Sequence, residues 1–356
     1  TKVGGGRQSR QLVDMQFDQA SNVCLVTIMT QERLASLHRM LIAWDGWVSI
    51  GMLVDDDGYA SAAAAGLDYL RHDGQPVPAP ERVALSLVQD LGYRSPRNRF
   101  PYNLLRNAAV ARCEAEYVFA ADVDFVPFPE RPSARLRRWI TELDVRPGSP
   151  NVLVVAAFEQ VGEHPTPAAA RSLTKSRLRE LSASGDLISF ASATYEAGHA
   201  CDEPALFLSK GRPYQTEYRF GCEPYTVVPR KGIHLYDERF VGYGKDRVSW
   251  NYELAARRPS LHVVPDLFLV HFHTLSSNVS KYGHFPRDWM AGETCWPAFR
   301  DRVQVAYNYT QYGCHQKKVD GLTSERYSTC VVDAERICVA PHCAPPITAF
   351  LPPLAG

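Results

Sequence analysis

Net charge and long apolar runs are both scarce in this sequence. Lys plus Arg and Asp plus Glu each number 39, so the chain lacks the single-signed field that draws a protein onto nucleic acid or an anionic bilayer. Nucleic acid is therefore not an expected partner. The apolar stretches around Ala60 to Leu67 and over 151–158 fall well short of the roughly 20 residues that span a bilayer, so the chain reads as soluble, and a membrane would be reached only through an anchor outside it. Three motifs are missing as well: Gly-x-x-x-x-Gly-Lys-Ser/Thr, Gly-x-Gly-x-x-Gly after the first strand, and Gly-x-Ser-x-Gly. Kinase-like, dinucleotide-binding and serine-hydrolase readings lose their support with them. There is no Cys-x-x-Cys either, which counts against a zinc site.

Cysteine, by contrast, is plentiful. There are nine, and Cys295, Cys314, Cys330, Cys338 and Cys343 crowd the C-terminal part, where Gly, Pro and polar residues are common. This predicts a disulfide-stapled tail formed in an oxidising compartment, with at least one thiol left over or paired outside the chain. The sequons Asn278-Val279-Ser280 and Asn308-Tyr309-Thr310 point the same way. With no initiator Met and no signal peptide, the expectation is a lumenal domain cut from a longer secreted or membrane-anchored precursor, placed in the Golgi lumen or outside the cell.

At 356 residues, 45% of them hydrophobic, the chain can bury a substantial core. Residues 1–22 read as a polar, Gly-rich lead-in or stem. From there, apolar β-branched runs alternate with segments of helical spacing. "NVCLVTIMT", "WVSIGMLV", "EYVFAADVDFV", "NVLVVAAFE", "EPYTVVP" and "LHVVPDLFLVHFH" read as strands, and "QERLASLHRMLIAW", "NLLRNAAVARC", residues 168–184 and the end of "YDERFVGYGKDRVSWNYELAAR" as helices. This order predicts an α/β domain over 23–285 with a mostly parallel sheet, followed by a Cys-rich extension over 286–356. Ligands of such sheets bind beyond the carboxyl ends of the strands.

Asp122 and Asp124 sit at such an end. If 116–126 is one strand, residues two apart share a face, so the two carboxylates converge and repel unless a cation or water lies between them. An oxygen-rich site of this kind suits Mn²⁺ or Mg²⁺ bridging to a diphosphate; taken alone, Asp-x-Asp is equally a solvated turn. A second apolar strand ends in His271 and His273, and neutral imidazole can complete a carboxylate shell. Asp55 or Asp56, in the acidic turn after the second strand, could reach a base or ribose. Arg106 and Asn107 precede the Asp pair on a helix, where Arg could clamp a phosphate or a sugar acid or simply pair with Glu114 or Glu116. Asp237, Glu238 and Asp246 surround a turn with Gly242, Tyr243 and Gly244, and a carboxylate there could accept a proton from an attacking hydroxyl. Their alternative reading is acids at a helix N-terminus complementing its dipole.

The segments "VCLVTIMTQERLASLHRMLIAWDGWVSIGMLVDD", "YNLLRNAAVARCEAEYVFAADVDFVP", "CEPYTVVPRKGIHLYDERFVGYGKDRVSWNYELAA" and "VVPDLFLVHFH" together resemble glycosyltransferase family 49, inverting enzymes of the GT-A fold that include glucuronyltransferases. The resemblance covers roughly residues 23–275. It implies a Rossmann-like GT-A domain that takes a UDP-sugar, most notably UDP-glucuronic acid, and passes the sugar to a glycan or glycoprotein acceptor. By the same resemblance, Asp122, Asp124 and His271 hold Mn²⁺ or Mg²⁺. Thr27, Arg33, Asp55, Arg106, Asn107 and Asp122 lie in the nucleotide-sugar segments, and Glu223, Tyr225, Gly242, Tyr243 and Gly244 in substrate-facing ones. The base is expected at Asp237 or Glu238, with Asp246 next and Glu223 the following carboxylate to test. The competing expectation is a catalytically silent GT-A-like scaffold that binds carbohydrate.

Overall fold

The computed structural model describes residues 22–54, 82–89, 100–161, 173–272 and 285–309, excepting the side chains of 89 and 285–293. The chain opens with β1 (Val23–Thr30), a single 3-10 turn over Gln31–Arg33, α1 (Leu34–Ala43), β2 (Trp47–Val54), β3 (Val83–Gln89) and α2 (Tyr102–Arg112). The middle holds β4 (Tyr117–Ala120), β5 (Phe125–Phe128), α3 (Pro132–Glu142), β6 (Asn151–Gln160), α4 (Lys175–Ser184), β7 (Leu187–Ser189), a 3-10 segment over Glu196–Asp202, α5 (Pro204–Ser209) and β8 (Tyr214–Thr216). It closes with β9 (Tyr225–Pro229), α6 (Asp246–Ala256), β10 (Ser260–His271) and α7 (Phe285–Tyr307).

The strands form one sheet in the order β3-β2-β1-β4-β9-β6-β10-β5, with β7 on β6 and β8 on β10. β3, β2, β1 and β4 run parallel, as do β6 and β10, while β9 is antiparallel to β4 and β6, and β5 antiparallel to β10. Six of the eight strands on that path therefore point one way, which bears out the mostly parallel α/β expectation. β1 is buried along its whole length, as a strand covered on both faces must be, and its alternate residues feed two cores. Val23 and Leu25 pack with Leu37 and Met40 of α1 and Leu136 and Trp139 of α3; Cys24 and Val26 pack with Ala109 and Val110 of α2 and Trp250 of α6. The result is a sheet between two helical layers.

Three sequence expectations change. The segment 116–126 is not one strand: β4 ends at Ala120, residues 122–125 turn with Phe125 N–H donating to the Asp122 carbonyl (3.1 Å), and β5 starts a new direction. The two aspartates thus lie in a turn: the β1–β4 ladder runs from Val23–Tyr117 to Val26–Ala120, and the chain leaves β1 there although β1 itself continues to Thr30. β3 was not anticipated. The boundary at 285 falls at the start of α7, whose Trp296, Phe299 and Val303 are buried with Phe240, Val248 and Tyr252 against α6, so the packed unit continues past it. Cys295 belongs to this cluster as a buried thiol, not to a stapled tail; Cys314, Cys330, Cys338 and Cys343 lie outside the described residues. The disulfide among the described residues is Cys201–Cys222, neither of which the tail reading involved.

Candidate active site

The strand directions collect chemistry at one edge of the sheet. β1, β4 and β10 deliver their carboxyl ends there, and the antiparallel β5 and β9 deliver their amino ends, so Arg33, Asp122, His271, Asp124 and Glu223 all emerge at one rim. α2 reaches the same rim because its backbone lies directly on β2: a Cβ at Gly51 would collide with the Leu105 carbonyl. Asn103, Arg106 and Asn107, spaced i, i+3, i+4, then share one helix face, and all three are buried. A polar triplet on a buried face requires partners. It finds them in the 236–246 loop.

Asp124 and His271 meet across the β5–β10 ladder, where Phe125 pairs with His271 and Phe272 N–H donates to the Asp124 carbonyl (3.3 Å). Asp124 Oδ2 stands 3.4 Å from His271 Nε2 and 3.4 Å from Arg33 Nη1. Burial pushes the Asp124 carboxyl up, but the His271 hydrogen bond and the His271 and Arg33 charges outweigh it and hold the group below the usual range. Two donors at about 2.1 Å from one octahedral ion, at right angles, are about 3 Å apart. The Asp124–His271 pair therefore fits a shared divalent cation with little movement.

Asp122 faces a different set of groups. Its Oδ1 receives Arg247 Nη2 at 2.5 Å, its Oδ2 receives the Tyr225 hydroxyl at 2.9 Å, and Arg106 Nη2 stands at 3.9 Å. The like charges of the sequence pair are thus held apart, each by its own cations. Asp122, a carboxylate within the same turn, has the donor chemistry of a hard-metal ligand but is engaged by Arg247. Among the described residues, the one trio of His, Cys or acidic ligand atoms lying within 4.8 Å of one another is Cys201, Asp202 and Cys222, two of which are joined as a disulfide.

The acids expected to act as base differ sharply in their surroundings. Asp237 is clamped by Arg239 through its Nε (2.9 Å) and Nη2 (2.5 Å), with Arg302 at 3.8 Å. Glu238 Oε1 accepts from Asn107 Nδ2 at 2.8 Å. Asp246 accepts from Arg106 Nη1 at 2.7 Å and from Gly244 N–H at 3.1 Å, while Asn103 Nδ2 ties the Asp237 and Asp246 carbonyls together (2.8 and 3.1 Å). Gly242 and Gly244 adopt φ of 90° and 95°, the left-handed region that favours glycine, and between them Tyr243 stands 52% exposed.

Glu223, just before β9, makes no side-chain hydrogen bond among the described residues. Burial first and the Asp246 charge second raise its carboxyl to about 7, against the opposing pull of Arg247, His199 and Arg106. Its backbone is pinned: Glu223 N–H donates to Gly198 O (2.6 Å), and the neighbouring Cys222 is bonded to Cys201. His199 stacks on Tyr225 (centroids 5.3 Å apart) and meets Asp202 Oδ2 at 3.1 Å. Thr27 lies inside β1, its hydroxyl buried and without a partner among the described residues. Asp55 and His273 fall outside the described residues.

Arg247 is the residue at this rim that sequence reasoning missed, and Asn103 and His199 went unmarked with it. A signal for Arg247 existed. A cation in the first turn of a helix opposes the helix dipole, so "KDR" opening α6 implied an anion facing it.

The family model described as the glycosyltransferase for dystroglycan, family 49, matches residues 84–281. The chain belongs to this family. Among curated members, the xylosyl- and glucuronyltransferase LARGE2s of Danio rerio is 31% identical over 275 residues, 76% of this chain and 34% of that protein. The xylosyl- and glucuronyltransferase LARGE1 of Mus musculus is 30% identical over 268 residues, 74% of this chain and 32% of that protein. This family 49 chain thus spans about a third of the length of these relatives. A solved structure of GalNAc-T7 with UDP, GalNAc and Mn²⁺ is 12% identical with a TM-score of 0.41, over 79% of this chain and 49% of that one, a likeness too slight to carry an argument. Family membership together with the sheet order described above identifies the domain as GT-A.

Proposed function

We propose that this chain is an inverting glycosyltransferase that moves glucuronic acid from UDP-glucuronic acid to a hydroxyl of a glycan or glycoprotein acceptor, with Mn²⁺ or Mg²⁺ held by Asp122, Asp124 and His271. The observation that supports it most is the Asp124–His271 pair, 3.4 Å apart beside a second turn carboxylate, at the strand ends where open α/β sheets bind ligands. When bound, the ion would supply charge to offset the departing diphosphate. The glucuronic acid assignment draws on the activities for which the relatives are named.

For the proton, Glu223 is the better-suited base. Asp237 is occupied by Arg239 and Asp246 by Arg106, whereas a carboxyl held near 7 is matched to proton transfer at neutral pH. This departs from the sequence preference for Asp237 or Glu238, because that loop position is filled by an ion pair and an amide contact. In the proposed step the acceptor hydroxyl gives its proton to Glu223 as its oxygen bonds to the anomeric carbon. The bond from that carbon to the diphosphate oxygen breaks, and its electron pair leaves with UDP. Arg106, fixed by Asp246 and flanked by the Tyr102 and Tyr236 rings at 5.6 and 5.3 Å, and Arg33 offer N–H donors to the nucleotide.

The Cys201–Cys222 bond supports an oxidising, lumenal setting, in the Golgi or outside the cell. No helix among the described residues is long and apolar enough to cross a membrane. A donor screen reading UDP release with Mn²⁺ tests the proposal: turnover of UDP-glucuronic acid above other UDP-sugars is expected, and turnover of none would remove the enzyme reading.

A further inference from the structure

His199 and Asp202 lie behind the rim and take no part in the step proposed above. Both are buried, 4% and 0% exposed, and Asp202 Oδ2 stands 3.1 Å from His199 Nδ1. Burial raises the Asp202 carboxyl, and the His199 contact pulls it back down. A carboxylate at this depth needs a hydrogen-bonded partner, so the pair keeps a proton on Nδ1 and fixes the plane of the ring.

The segment Glu196–Asp202 is fastened along its length to the residues that open β9. Glu223 N–H donates to Gly198 O (2.6 Å), the Tyr195 hydroxyl donates to Gly221 O (2.8 Å), and Cys201 is bonded to Cys222. The His199 ring lies on Tyr225, centroids 5.3 Å and planes 16° apart, with Phe190 edge-on at 5.0 Å. Residues 198–199 and 223–225 thus run side by side. Five other ionisable groups act on Glu223 from the surrounding elements: Asp246 and Arg247 of α6, Arg106 of α2, and the phenols of Tyr218 and Tyr243. Arg106 and Arg247 are permanent cations. His199 is the one neighbouring cation whose charge depends on its own partner, Asp202.

We infer that His199, held by Asp202, is a positioning residue for the proposed base: its positive charge beside Glu223 favours the carboxylate that receives the acceptor proton. The inference rests on Glu223 as base in the transferase reading. The test is the pH profile of kcat/KM for UDP release from UDP-glucuronic acid with Mn²⁺. The wild-type rate should rise with pH through about 7. In His199→Asn, which keeps an N–H donor for Asp202 and carries no charge, the rise should come about 1 higher in pH. The deficit should be about tenfold on the acid side and shrink above the shifted midpoint. If His199→Asn does not fold, Asp202→Asn, which keeps a hydrogen-bonding partner for the ring and removes its anion, should move the rise in the same direction. A rise that stays at the wild-type pH, with kcat/KM reduced by one factor throughout, marks a merely structural pair and overturns the inference. A wild type with no rise near 7 refutes Glu223 as the base, and the inference with it, whereas a wild type that releases no UDP refutes the glucuronyltransferase reading itself.

Discussion

Glu223→Gln separates stability from chemistry at one atom. In the unfolded chain this carboxyl ionises near 4.5, and in the folded protein burial and Asp246 raise it to about 7. Between those values the folded state binds more protons than the unfolded one, so the group lowers stability as pH rises through the window. Each pH unit corresponds to about 1.4 kcal/mol, and the 2.5-unit gap gives a penalty of about 3 kcal/mol once pH exceeds 7. Glutamine carries no charge and escapes it. The variant should therefore melt several degrees above the wild type at pH 8 and close to it at pH 4, by thermal denaturation monitored by circular dichroism. Its kcat should nevertheless fall by about 10² to 10⁴, and wild-type kcat/KM should climb with pH through about 7. A variant that turns over within a few-fold of the wild type, or a stability difference that does not widen between pH 4 and pH 8, would refute the assignment.

Asp124→Ala should abolish Mn²⁺-dependent UDP binding and lower turnover at least about a thousandfold, while circular dichroism shows an intact fold; near-wild-type activity would mean that the turn is structural. Cys222→Ser opens a loop with a sequence separation of 21, expected to cost about 3 kcal/mol in urea denaturation and to depress kcat through the adjoining Glu223. Phe299→Ala, at 1% exposure in the α6–α7 cluster, should destabilise by about 3–5 kcal/mol, whereas an effect below about 1 kcal/mol would restore the boundary at 285.

The strands β1, β6 and β10 were legible because a strand buried on both faces must be largely apolar, as 23–29, 152–158 and 267–270 are. The Asp turn was misread as strand because Val123 and Phe125 continue the apolar alternation; that β4 parts from β1 after Ala120, although β1 runs on to Thr30, is a long-range fact. Arg106 and Asn107 were visible as polar residues on an otherwise apolar helix. Spacing could not show that Arg247 reaches an aspartate 125 positions away, nor that Arg239 closes on Asp237. Which acid stands outside an ion pair is a property of packing, and it is why Glu223, and not an acid of the 237–246 loop, is the proposed base.

The most direct measurement is a pair of calorimetric titrations of the unmodified chain, UDP with and without Mn²⁺ and Mn²⁺ with and without UDP. If Asp122, Asp124 and His271 hold an ion that bridges to a diphosphate, each ligand tightens the other by the same factor, expected to be tenfold or more, and Asp124→Ala erases that coupling. Binding of neither ligand, or binding of both with no mutual effect, would contradict the account and leave a GT-A scaffold without a working site.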